Sequence, residues 1–263
     1  MILQQNILNF EQAIESGLYY IIIGYYFLLF AFFLLMRFRI TKKEYWLFFS
    51  LLFLCLAFGR VFFIVYYFYL PQFESLIVDG TLAALPGLMW KLATFFTWLG
   101  TACLMGILGV LLFTEKDRIS LILRAVLVVV PIVIAIIAMS LPDGYFLDQS
   151  TINQFNLDIQ SIPLSPTLDY PIGRFVFTLV LTPIFIFLIP FLFLYLAIKT
   201  FGVLRRSYLL NAIGFLLYYV GRILQGALPY TGLSSMTVAL IPPFIILLAL
   251  LIIVIANNYE QLK

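Results

Sequence analysis

Seven apolar runs dominate this sequence, each near the twenty residues that a helix needs to cross the hydrocarbon core of a bilayer. They lie at about 17–36, 45–70, 88–113, 119–141, 173–198, 207–228 and 236–256. Each is apolar on all sides, which excludes surface amphipathic helices. Each is continuous and not alternating, which excludes the strands of a membrane barrel. Only 10% of the 263 residues are charged and 64% are hydrophobic, against about 25% charged in soluble domains. A chain of this composition lacks the polar skin of a soluble fold. The pattern predicts an all-α integral membrane protein, a seven-helix transmembrane bundle. It forms a single heptahelical domain over residues 1–263, multi-pass in the cell membrane and surrounded by membrane lipids.

The connecting segments set an expected orientation. Arg37, Arg39, Lys42 and Lys43 follow the first run, Lys116 and Arg118 the third, and Lys199, Arg205 and Arg206 the fifth. The alternate connections carry Glu74, Asp79, Asp143, Asp148, Asp158 and Asp169, with Arg174 opening the fifth run. The positive-inside rule then places the N-terminus outside and the C-terminus in the cytoplasm. Before the first run the only charges are Glu11 and Glu15, so this run reads as a span and not as a signal peptide. The connection from Pro142 to Gly173, with Pro163, Pro166 and Pro171, reads as an irregular outer cap. The chain ends at Lys263 with no output domain expected after the seventh run.

Laying Gly59-Arg60 over Gly221-Arg222 brings Arg37 onto Lys199, Lys43 onto Arg205, Trp46 onto Tyr208 and Phe53 onto Phe215 without gaps. Runs one and two thus correspond to runs five and six. This spacing suggests a 3+1+3 arrangement of parallel repeats, as found in some small transporters. A chance match of two apolar hairpins is the competing explanation.

All twelve acidic residues lie in connections, tails or run ends. Arg60, Lys91 and Arg222 lie inside runs and Arg174 opens one, all in the outer half under the expected orientation. Such charges face a bundle interior or water and are paired. Here the partners must be carbonyls, hydroxyls, loop acids or a bound group. At helical spacing, Thr94, Trp98 and Thr101 follow Lys91, Tyr67 follows Arg60, and Asn211, Tyr218 and Gln225 flank Arg222. Arginine recognises carboxylate and phosphate, and Trp or Tyr gives an apolar wall with a polar tip. The candidate ligand-binding residues are therefore Arg60, Tyr67, Lys91, Trp98, Arg174, Tyr218, Arg222 and Gln225. The competing reading is structural: Lys91 and Arg174 snorkel to head groups, and Arg60 and Arg222 pair with carbonyls or with Glu74 or Asp79.

Several chemistries are disfavoured. The chain has no histidine, which removes histidine-based metal sites and Ser–His catalysis. Cys55 and Cys103 fall inside runs and read as two small buried residues. No lysine in the seventh run could carry retinal, and no carboxylate inside a run serves proton or sodium coupling. No enzyme, catalytic residue, metal, cofactor or nucleic-acid partner is expected. Two readings remain. One is a receptor, sensor or uncoupled transporter that binds an anionic or amphipathic ligand or a lipid head group. The other is a structural or accessory subunit packed against a partner membrane protein. Pro131, Pro183, Pro190 and Pro242-Pro243 mark expected breaks, and Ala102 and Gly106 mark α-helix contact by close approach.

Overall fold

A computed structural model describes residues 10–113, 117–165, 168–227 and 235–258. Lys116, Pro166, Leu228 and Lys263 from the sequence reading fall outside these residues, as does the Asp169 side chain. The structure is about 87% helical and has seven helices long and apolar enough to cross a membrane. They are α1 (Gln12–Thr41), α2 (Glu44–Val78), α3 (Leu85–Leu112), α4 (Arg118–Ser140), α5 (Ile172–Lys199), α6 (Gly202–Gln225) and α7 (Met236–Asn258). All seven apolar runs are recovered. Most of the helices extend past their runs, because apolarity ends at the first charges while the backbone hydrogen bonding continues through them.

The chain divides into two compact units. One holds α1 from Tyr26, then α2, α3, α4 and the chain through Thr182; the other holds α1 up to Tyr25 and the chain from Pro183. In the first unit α2 packs on α3 and α3 on α4. The tight turn from α1 to α2 uses Lys42 in the left-handed region (φ 55°), and Arg37 lies over the Trp46 ring at 5.4 Å. Asp117 caps α4 by accepting from the Ser120 N–H at 3.1 Å. Of the seven helices α3 is the most enclosed and α4 the least, 56% against 17% buried. The small residues of α3 account for this: Gly106 leaves no room for a Cβ beside the Phe48 ring.

The α2–α3 pair and the α6–α7 pair are built alike, each within its own unit. A Cβ on Gly59 would meet the Ala93 carbonyl at 3.3 Å, with Phe96 and Thr97 at 3.5 and 3.4 Å. A Cβ on Gly221 would meet the Pro242 carbonyl at 3.3 Å, with Ile245 and Ile246 at 3.2 and 2.9 Å. The contacted residues have the same i, i+3, i+4 spacing. About two turns away, a Cβ on Gly100 of α3 would meet Leu52 of α2 at 3.6 Å, whereas a Cβ on Gly214 of α6 would meet the Ala249 carbonyl of α7 at 3.3 Å. The small residue has changed sides. Aromatic stacking repeats too. Buried Phe33 stacks on Phe53 (5.8 Å, 11°) and Trp46 (5.5 Å); buried Phe193 stacks on Phe215 (5.7 Å, 11°) and lies 6.2 Å from Tyr208. The counterpart of Phe33 is thus Phe193, two residues before the Tyr195 that ungapped alignment selects.

The connection between α4 and α5 is more ordered than an irregular cap. It contains a single helical turn (Asp143–Tyr145), a short helix (Gln149–Gln154), and strands β1 (Pro163–Ser165) and β2 (Leu168–Pro171) paired antiparallel. Phe146, Leu147, Ile152 and Phe155 are 0–3% exposed and give it a small core of its own. Scattered among polar residues, these four positions show no periodicity long enough to announce an element. The prolines of α5 do not end it. A π-helical stretch, Phe175–Leu181, precedes Pro183, and the Thr182 hydroxyl donates to the Phe177 carbonyl at 2.5 Å. Proline removes a donor and frees carbonyls; the wide turn and the hydroxyl accommodate that.

Close approach at Gly221 gives a direct check. Gly221→Leu must displace the α7 backbone and is expected to cost about 1–3 kcal/mol, lowering the melting temperature in detergent. Gly24→Leu, at a position with nothing within 4 Å of a Cβ, is expected to leave it unchanged.

Candidate functional site

The C-terminal end of α2 and the N-terminal ends of α3 and α5 meet the α4–α5 connection at Arg174. This residue is 8% exposed. Its Nε donates to the Phe146 carbonyl and its Nη2 donates to the Tyr66 hydroxyl at 2.6 Å. The guanidinium carbon lies 3.8 Å from the centre of the Trp90 ring, a close cation–π contact. Asp148 completes the set at 3.7 Å, an ion pair and not a hydrogen bond. The Tyr66 hydroxyl also meets the Thr151 hydroxyl at 3.4 Å. One side chain thus joins four segments of chain. The fork of arginine, with donors in several directions and a stackable plane, suits this role where lysine does not.

Lys91, one position along α3 from Trp90, pairs with Asp143 at 2.5 Å. The Asp143 carboxylate sits over Gly87, where any Cβ would collide with it. Gly87 lies in the first turn of α3, whose free N–H groups and dipole favour an anion. The same segment demands glycine twice more. A Cβ on Gly144 would strike the Gln160 carbonyl, and one on Gly173 would meet the Tyr145 carbonyl at 2.5 Å. Asp143 and Asp148 therefore hold the connection down at two points, each against a helix-borne cation.

Burial by itself would raise the Asp148 carboxyl. The Arg174 charge and hydrogen bonds from Thr151 and Ser150 outweigh it and hold the group below the usual carboxylate range. The Ser150 hydroxyl donates to Oδ2 at 3.0 Å.

Of the eight sequence candidates, Arg174, Lys91 and Tyr67 belong to this cluster. Tyr67 is half exposed, with its ring 6.1 Å from Trp90. Lys91 and Arg174 are answered by loop acids, a hydroxyl and a carbonyl, the partner types that acid-free apolar runs demand. Arg60 and Trp98, 3% and 1% exposed, are buried in the same unit. Phe63, one turn from Arg60, places its ring 5.1 Å from Trp90. Tyr218, Arg222 and Gln225 lie on α6 in the other unit, Tyr218 buried and the other two half-buried. The threonine stripe on α3 turns inward: Thr94, Thr97 and Thr101 each donate to the carbonyl four residues back. Asn211 belongs to a polar clamp between α6 and α7, accepting from Asn257 at 3.0 Å while Ser207 donates to the Ala256 carbonyl at 2.8 Å.

Trp90, Tyr66, Asp143 and Asp148 were not singled out by their sequence setting. The nearest signal for Trp90 is its adjacency to Lys91. Its indole N–H is buried and has no hydrogen-bond partner among the described residues. A buried donor left so costs about 1–3 kcal/mol.

Comparison with known proteins finds no matching family model, curated relative or solved structure. Function is read from these residues alone.

Arg174→Gln leaves half-buried Asp148 without its counter-charge and is expected to destabilise the fold by about 1–3 kcal/mol; Arg174→Lys falls between this and the unchanged protein. Thermal melts in detergent check both. The pH dependence has a definite sign. The folded Asp148 carboxyl titrates below its unfolded value of about 3.9, so its stabilisation is complete above that value and is lost as pH falls through the folded one. Protease resistance of the 142–171 segment is expected to stay level from about pH 7 to 5 and to drop below about pH 4. Asp148→Asn is expected to lower it above about pH 4 and to converge with the unchanged protein at lower pH.

Proposed function

We propose that this chain is a seven-span membrane protein, N-terminus outside and C-terminus in the cytoplasm, that binds an anionic or amphipathic ligand in its outer half and acts as an uncoupled carrier. Basic residues at the α1–α2 and α5–α6 connections support that orientation; it puts the folded α4–α5 connection outside. The matching construction of α2–α3 and α6–α7 supports a 3+1+3 parallel repeat, a plan used by small transporters. In each pair the glycine against the next helix is followed by an arginine, Arg60 or Arg222.

The observation that carries the ligand reading is Trp90. Its N–H lacks an acceptor in a buried setting lined by Tyr66, Tyr67 and Phe63. An oxygen of a carboxylate, phosphate or ester would satisfy it. Lys91 and Arg174 are already neutralised by Asp143 and Asp148; Arg60, buried in the same unit and one turn from Phe63, is the cation assigned to the ligand's anionic group. The aromatic walls favour a ligand with an apolar portion, such as a lipid-like anion.

The test uses purified full-length protein, stripped of lipid and titrated with short-chain phosphatidic acid by native mass spectrometry. Anion efflux from neutral-lipid vesicles is measured in parallel. Trp90→Phe and Arg60→Gln are each expected to weaken binding about tenfold while the melting temperature is kept within a few degrees. Absence of binding and flux in the unchanged protein rejects the carrier reading, and a co-purifying membrane partner that restores stability to the arginine variants favours the accessory-subunit role.

A further inference from the structure

Neither the cap nor the ligand reading uses the cysteines. Cys55 on α2 and Cys103 on α3 lie at the seam between these helices, near enough for their thiols to interact. Both are free and half-buried. The seam is tight at this level. A Cβ on Gly100, one turn before Cys103 on the same face, would lie 3.6 Å from the Cβ of Cys55. The side chain of Cys55 therefore stands against the backbone of α3 at the turn that leads to Cys103. Gly100, Ala102 and Gly106 are what bring the helices this close. Each cysteine is about ten residues, roughly 15 Å, from the shared end of the two helices, so both lie at one depth.

We propose that Cys55 and Cys103 form a redox-active dithiol that closes to an intramolecular disulfide clamping α2 to α3. Two S–H bonds break and one S–S bond forms. Two electrons and two protons pass to a lipid-soluble quinone, which leaves as the quinol. A quinone is the class of oxidant that fits, because the pair lies at mid-span in the proposed topology, away from water-borne glutathione, and is half open at the side of the seam. Closure brings the two sulfurs to about 2.05 Å. Two isolated buried cysteines, by contrast, behave as small inert apolar groups.

The chain has only these two cysteines, so thiol count decides the matter. Purified full-length protein in nanodiscs is treated with a short-chain benzoquinone that is fully ring-substituted and so cannot add thiols. Remaining thiols are blocked with a maleimide, and peptides are mapped by mass spectrometry. The expected result is loss of both thiols, a Cys55–Cys103 cross-linked peptide from monomeric protein, and recovery of both thiols with a membrane-permeant phosphine. Cys55→Ala and Cys103→Ala each keep one alkylatable thiol under the same treatment. Persistence of both thiols in the unchanged protein, a sulfinic or sulfonic product on one cysteine, or a disulfide-linked dimer overturns the proposal. The readout is thiol chemistry, so it stands apart from anion binding.

Discussion

A guanidinium drawn into an apolar bundle must be answered by acceptors and counter-charge, because a buried ion without them costs several kcal/mol. None of the seven apolar runs carries an acid that could supply the answer. Arg174 is met instead from the chain between α4 and α5, through the Phe146 carbonyl and Asp148, and from α2 and α3, through Tyr66 and Trp90. Lys91 is met by Asp143 of the same segment. The fold of that segment follows from these two attachments. Gly87, Gly144 and Gly173 are required where a Cβ would collide with Asp143, Gln160 or Tyr145, and Phe146, Leu147, Ile152 and Phe155 fill the space beneath.

The sequence makes some of this legible. Helices are the only way an apolar run of this length satisfies its own backbone in hydrocarbon, so the seven helices follow from hydropathy and length. The absence of acids from the runs limits the partners of Arg174 and Lys91 to the kinds observed. What stays hidden depends on distances across the chain. Asp148 is 26 positions before Arg174 and Tyr66 is 108 before it, and neither has a local pattern that marks it. The cap reads as irregular because its four buried side chains fall among polar residues with no period. Cys55 and Cys103 read as inert because their pairing depends on the register of α2 against α3, which Gly100 and Gly106 set.

The two helix pairs show how one packing plan survives in different residues. A Cβ on Gly59 or on Gly221 would meet the equivalent carbonyl at the same 3.3 Å, while the leucine–glycine contact of one pair becomes glycine against alanine in the other. Close approach is conserved in geometry and not in which helix supplies the small side chain. Each glycine fixes the height of the arginine that follows it. The acids that neutralise Lys91 and Arg174 come from the α4–α5 connection.

The claim that the α4–α5 segment is held through Arg174 is tested most directly by a double-mutant cycle of Arg174→Gln and Asp148→Asn, read from unfolding free energies of the full-length protein in detergent. Direct pairing predicts that the double variant is more stable than the sum of the single losses by about 1 kcal/mol or more. Simple additivity of the two losses contradicts it.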